Sequence, residues 1–298
     1  VADVTAPVAE RRFTLRSGLV LAARVHHAGA PVKVLALHGW LDNAASFDAL
    51  AARLPQCEIV ALDLAGHGRS GHRPVGAWYH YVDYLDEVVE VLDQLGWARS
   101  VWLGHSLGGA LLLLLAAAVP ERVERLVLVE SGGPLGGHPE RAVEQLRRGL
   151  DDRARHREGK ALRVFGTAEE AVAARMRANG LSQAAARTLV ERGLRPVPGG
   201  QQWASDPRLT LASPLRIDEG HIQALIAAVA CPTLILLAQP ALPFMSDADR
   251  AARLALLPQA QVLSFPGHHH LHMETPEPLA AAIARFAAAG EGGGSAAA

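Results

Sequence analysis

Cysteine is scarce in this chain, with only Cys57 and Cys231 among 298 residues. A chain of that length buries a large core and needs no disulfide to hold it, so two buried free thiols are expected. Net charge is also nearly absent. Lysine and arginine number 29 against 30 aspartates and glutamates, a balance of −1. Both signs are spread throughout, even in arginine-rich 141–195, which leaves no electrostatic footprint for nucleic acid or an anionic membrane. Half of the residues are hydrophobic, yet the longest apolar run starts at Ala110 and lasts about ten residues, half of what spans a bilayer. No charged and apolar leader opens the chain and no repeat at solenoid spacing runs through it, so a cytoplasmic protein is expected. Residues 291–298, "EGGGSAAA", read as a flexible tail, and nothing sets an oligomeric state.

What the chain has is alternation. The apolar runs "FTLRSG", "VLAARVHH", "VKVLALHG", "EIVALDL", "SVWLGHS", "RLVLVES", "TLILLAQ" and "QVLSFPG" read as strands, the first two as an antiparallel hairpin. Helix-period segments at 46–54, 80–96, 107–118, 246–257 and 276–288 separate most of them. Parallel neighbours need crossover connections, so this pattern predicts an α/β fold with a mostly parallel central sheet of about eight strands and helices on both faces. Between the sixth and seventh strands the strand signal stops. Segments 139–158, 167–178 and 182–193 read as polar amphipathic helices, and "LRPVPGGQQWASDPRL" reads as irregular. The domain expectation is therefore a core of 1–132 and 214–290 with a helical cap at 133–213.

One turn carries chemistry. In "VWLGHSLGGALLLLLAAAVP" a strand runs directly into a helix, and Ser106 sits between them with Gly104 and Gly108 two residues to either side. A strand-to-helix turn of that tightness strains the intervening residue and pushes its side chain out at the carboxyl edge of the sheet. A serine hydroxyl is a weak nucleophile at neutral pH, so it needs a general base and a third group to orient that base. The late segment "FPGHHHLHMETPEPLAAAI" offers His268, His269, His270 and His272. Adjacent histidines in a loop rarely converge on one ion, and no matching cysteine or carboxylate spacing accompanies them, so no metal is expected.

The motifs "LALHGWLDNAASF", "ALDLAGHGRS", "GHSLGG" and "PGHHHLHMETPE" occur in an order and spacing that resemble the α/β-hydrolase fold superfamily across nearly the whole chain outside the insertion. The resemblance implies a Ser106 nucleophile. Aligning on Glu274 and Pro276 implies a catalytic His269, with His270 next. It further implies an oxyanion hole from the amides of Leu107 and Trp40, the latter in a turn shaped by His38 and Gly39. The chain departs from the family at the acid: Ala241 falls where an aspartate is usual, after "TLILLAQ". A minority of the fold carries the acid at the end of the preceding strand, here Glu130 in "RLVLVESGG". Glu130 is the preferred third member, with Asp247 and then Asp249 as fallbacks. Asp63 is expected to be architectural, Asp42 to pin the oxyanion turn through local amides, and His105 to pack under the sheet.

These residues imply acyl transfer through an acyl-enzyme without metal or organic cofactor, and hydrolysis of a small, uncharged to moderately apolar carboxylic ester leads. A serine at the elbow argues against the family's dehalogenases and epoxide hydrolases, which use a carboxylate there. Carbon–carbon bond hydrolases, lactonases, perhydrolases and a non-catalytic ligand receptor remain alternatives on the same scaffold. Leu146, Leu150, Val164, Phe165, Met176, Trp203 and Phe244 are candidates for an apolar substrate wall.

Overall fold

The computed structural model describes residues 8–159, 162–240 and 245–288. The expected tail and the positions of Ala241 and Phe244 lie outside the described residues. The eight expected strands form one sheet: β1 Ala9–Thr14, β2 Val20–His26, β3 Val32–Leu37, β4 Cys57–Leu62, β5 Ser100–His105, β6 Val123–Val129, β10 Thr233–Gln239 and β11 Ala260–Pro266. Their spatial order is β1-β2-β4-β3-β5-β6-β10-β11, antiparallel from β1 to β4 and parallel from β4 onward.

Each central strand is apolar on both faces, as a doubly covered parallel sheet requires. Along β5, Trp102 faces one core cluster and Val101 and Leu103 face the other; along β6, Leu126 and Leu128 alternate in the same way with Val127 and Val129. The first face is covered by α2 Tyr81–Leu95, α3 Leu107–Ala118 and α7 Glu219–Ala227, with α8 Asp247–Ala255 beside them. Opposite lie α1 Asp48–Ala51, α9 Leu271–Glu274 and α10 Pro276–Ala288. Helix α3, "LGGALLLLLAAA", is apolar all round because it is buried almost all round. Cys57 and Cys231 are free and buried, and burial pushes the Cys57 thiol up to about 11. Among the described residues no helix is long and apolar enough to cross a membrane.

Between β6 and β10 the chain forms α4 Ala142–Arg157, α5 Ala168–Asn179 and α6 Gln183–Gly193, and also a small antiparallel sheet that corrects the all-helical expectation. Its strands are β7 Val164–Phe165, β8 Leu194–Val197 and β9 Gly200–Trp203. The stretch expected to be irregular is a hairpin: Pro198 and Gly199 make a two-residue connection in which Gly199 takes φ +86°. Proline followed by a positive-φ glycine is turn chemistry as well as strand-breaking chemistry, and here it is the former. These elements share a core of their own, in which Phe165, Val172 and Leu189 meet Met273 from α9.

Candidate active site

Five strand ends meet at the carboxyl edge of the sheet, where open α/β sheets bind ligands. Ser106 stands between β5 and α3 at φ +49°, ψ −112°, with its N–H donating to Val129 O at 3.0 Å. A side chain at φ > 0 costs of order 1–3 kcal/mol and persists only where its surroundings dictate it. The two flanking glycines show how. A Cβ at Gly108 would land on the carbonyl of Leu37, and one at Gly104 on the backbone of Gly109, so only glycine lets strand and helix approach this closely. Glu130, immediately after β6, also takes a positive φ, +50°, while its N–H donates to Leu236 O.

The structure brings three of the expected residues into one hydrogen-bonded run. His269 Nε2 lies 2.9 Å from Ser106 Oγ, and His269 Nδ1 lies 3.3 Å from Glu130 Oε2. The tautomer with its proton on Nδ1 satisfies both contacts, donating to the carboxylate and accepting from the hydroxyl. Glu130 Oε1 also accepts the N–H of Ala238 at 2.5 Å, which fixes the carboxylate at the end of β10. Burial by itself would raise the Glu130 carboxyl, but the His269 ring and the Ala238 amide together hold it below the ordinary glutamate value. Asp247 stands apart, with its side chain 94% exposed at the start of α8 and bonded to Arg250. Asp249 is used locally, where its carboxylate and amide both bond Ser246.

The turn after β3 is tightly built. His38 is fully buried and bridges it, with Nδ1 donating to Gly39 O at 2.7 Å and Nε2 accepting the N–H of Leu64 at 3.1 Å. Leu41 takes φ +60° and Asp42 N–H closes the turn onto Gly39 O. Trp40 is no core aromatic. It is 54% exposed, and its indole N–H donates to Leu209 O from the segment between β6 and β10. Both Trp40 and Leu107 line the cavity above Ser106, and Leu107 is the first residue of α3, whose N–H has no intrahelical acceptor.

Asp42 does more than the expected local bonding. Its carboxylate takes Arg175 from α5 on one oxygen, while the other sits 3.2 Å from His270 Nε2 and 3.5 Å from His105 Nδ1. His105 Nε2 in turn donates to the main-chain oxygen of His269 at 2.8 Å. Burial alone would raise the Asp42 carboxyl, but His270 and Arg175 hold it well below the usual range. Asp63 is likewise a buried node, accepting the N–H groups of Ala44 and Arg69 and pairing with Arg192 of α6.

Asp42, His105 and His270 place one carboxylate oxygen and two ring nitrogens within 4.8 Å of one another, all buried, a donor set of the kind that binds transition metals. The carboxylate is already engaged by Arg175 and His270, however. A dication added beside that guanidinium would leave a large uncompensated positive charge in a buried site. The donors fit a hydrogen-bonded node better than a metal centre.

Buried histidines also set the acid stability of this region. Burial brings the His38 imidazole down to about 4 and the His67 imidazole, edge-on to it, down to about 3. Near pH 5 both rings stay neutral when folded, whereas a histidine in the unfolded chain, ordinarily near 6.5, is mostly protonated. The unfolded state then binds more protons, so stability falls as pH drops below about 6.5, by about 1.4 kcal/mol per pH unit for each ring. The loss continues until the folded values are reached. Urea unfolding from pH 7.5 to 5 is expected to show this slope, and His67→Phe is expected to flatten it by about one proton. An unaltered slope in that variant would remove His67 from the account.

The cavity over Ser106 has a volume of about 1080 Å³. Its apolar wall is not the one the sequence suggested. Phe165, Met176 and Trp203 pack in the separate core between β6 and β10, and Leu146, Leu150 and Val164 are exposed. The wall comes instead from the main core, through Leu113, Leu128, Ile235 and Leu257.

The chain matches the family model of the α/β hydrolase fold over residues 33–276. It is 33% identical over 263 residues to a serine hydrolase-like protein of Danio rerio, covering 85% of this chain and 80% of that protein. A probable serine hydrolase of Drosophila melanogaster is also 33% identical, over 266 residues and with the same shares. Among solved structures, a hypothetical protein from Pseudomonas aeruginosa PAO1 is 44% identical, with a TM-score of 0.87 over 94% of this chain and 99% of that one.

Proposed function

The chain belongs to the α/β-hydrolase family, and from that premise we propose that it is a serine hydrolase cleaving carboxylic esters through an acyl-enzyme. The observation that carries this reading is the run from Ser106 Oγ through both nitrogens of His269 to Glu130. Ser106 Oγ attacks the ester carbonyl carbon while His269 Nε2 takes its proton, and the carbonyl oxygen becomes an oxyanion received by the amides of Trp40 and Leu107. The carbon–oxygen bond to the alcohol then breaks, and the proton on His269 passes to the departing oxygen. Water repeats the sequence: His269 takes its proton, the hydroxide adds to the acyl carbon, and Ser106 leaves with the proton returned. Glu130 stays ionised and stabilises the imidazolium formed in each half.

Trp40 contributes only its amide to this scheme, which is compatible with an exposed ring tied to Leu209. The pair of buried, unpaired thiols suits a reducing compartment, and we place the protein in the cytoplasm. The test is a panel of p-nitrophenyl esters from acetate to palmitate, assayed with the wild-type chain. Turnover peaking at an intermediate acyl length is expected from a cavity with an apolar inner wall. A wild-type chain inert on every ester, and unreactive with a fluorophosphonate, would replace the esterase with a ligand-binding role.

A further inference from the structure

The charge on the cavity wall is one-sided. Among the described residues that line it, the carboxylates are Asp42 and Glu130, and both are spent, on Arg175 and His270 in one case and on His269 and the Ala238 amide in the other. Four arginines line it as well: Arg148, Arg216, Arg250 and Arg253. Arg253 is buried and committed to Glu219 and to the carbonyls of Gly132 and Pro134, and Arg250 is bonded to Asp247. Arg148 and Arg216 differ from these, because neither has an ion pair or side-chain hydrogen bond among the described residues.

Their placement is shared. Helix α4 lies against the segment that carries Arg216: Gln145 donates to Ser213 O, and Gly149 packs on Pro214. Arg148 is one turn along α4 from Gln145, on the stretch that makes these contacts, so Arg148 and Arg216 line the cavity from two adjoining segments at its rim. Arg216 is also within electrostatic reach of the Tyr81 hydroxyl, another lining residue. Asp152, near Arg148, is taken by Arg155 and the Ala212 amide. The lining also has an apolar part drawn from the main core, formed by Leu113, Leu128, Ile235 and Leu257.

We propose that this rim is an anion subsite, and that the substrate is an ester or thioester with an apolar acyl chain and an anionic leaving group, a carboxylate or a phosphate, received by Arg148 and Arg216. The inference rests on the esterase reading of Ser106 and departs from the uncharged ester expected from sequence. In this arrangement the acyl chain takes the apolar lining from the main core and the leaving group takes the arginines, where a planar guanidinium suits carboxylate and phosphate oxygens. Both guanidiniums are solvent-exposed, so their effect is screened by salt.

The test uses matched octanoyl substrates: neutral p-nitrophenyl octanoate, 4-nitro-3-(octanoyloxy)benzoate with its carboxylate, and octanoyl coenzyme A with its phosphates. At low ionic strength wild type is expected to favour an anionic substrate over the neutral ester in kcat/KM. The double substitution Arg148→Gln, Arg216→Gln is expected to lower that anionic-to-neutral ratio about tenfold, mainly through KM, as is 0.5 M NaCl on wild type. Which anionic substrate loses more identifies carboxylate or phosphate as the natural group. A ratio unmoved by the substitutions, with the neutral ester turned over, overturns the anion subsite and leaves the esterase standing. Direct binding of 4-nitro-3-(octanoyloxy)benzoate to Ser106→Ala, with and without the arginine changes, separates the opposite failure. Arginine-dependent binding in a protein whose wild type hydrolyses no ester would keep the subsite and discard the esterase.

Discussion

Ser106→Ala is expected to lower kcat on the preferred p-nitrophenyl ester by at least about 10⁴-fold and to leave the far-UV spectrum and melting temperature close to wild type. The magnitude follows from what remains. Without the hydroxyl no acyl-enzyme forms, and only binding and the oxyanion amides act on the carbonyl, which in serine hydrolases of this kind leaves a small residue of the catalysis. The retained fold follows from where the strain is held. Position 106 sits at φ +49° because Gly104 and Gly108 let β5 and α3 close on each other, and alanine meets the same backbone demand as serine. Its hydroxyl contributes one hydrogen bond to a partly exposed histidine, a modest term in a chain with this much buried core. Loss of fluorophosphonate labelling should accompany the loss of turnover. A variant that keeps turnover within tenfold of wild type would show that another group attacks the ester.

The fold was legible in the sequence because its signal is local. Eight apolar runs alternating with helical segments encode a covered parallel sheet, and "GHSLGG" between a strand and a helix encodes the turn that exposes Ser106. The hairpin at Leu194–Trp203 escaped because "PVPGG" has the same residues whether it breaks a strand or reverses it, and only pairing with β7 decides. The buried ion pairs escaped for a different reason. Asp42 and Arg175 lie 133 residues apart and Asp63 and Arg192 lie 129 apart, and charge partners at such separations leave no periodicity to find. Asp42 illustrates the cost. Read locally it is a turn aspartate, whereas in three dimensions it joins the turn after β3, the strand before Ser106, the histidine loop and helix α5. The cluster of histidines was the available clue, since a buried ring nitrogen calls for a hydrogen-bond partner, and for His270 that partner is Asp42, 228 residues away.

The acid is the place where sequence pattern and geometry had to be weighed against each other, and Glu130→Gln is the substitution that weighs them. It is expected to lower kcat by about 10³- to 10⁴-fold, while Asp247→Asn stays within about twofold of wild type. Glutamine preserves the shape and can still accept the Ala238 amide through its carbonyl oxygen, so the backbone at φ +50° and the end of β10 keep their positions. What it presents to His269 is then an amide nitrogen, a donor facing a donor. The imidazole must turn its proton toward Ser106, which removes the base, and no negative charge remains to stabilise the imidazolium. Asp247 can do none of this from a side chain 94% exposed and bonded to Arg250, in the first turn of a helix capped by Ser246. Glu130→Asp sharpens the contrast, since one methylene less cannot span both Ala238 N and His269 Nδ1, and a partial loss between wild type and glutamine is expected. If Glu130→Gln is nearly silent and Asp247→Asn is crippled, α8 must swing inward when substrate binds, and the carboxylate at the end of β6 is a structural brace across β10.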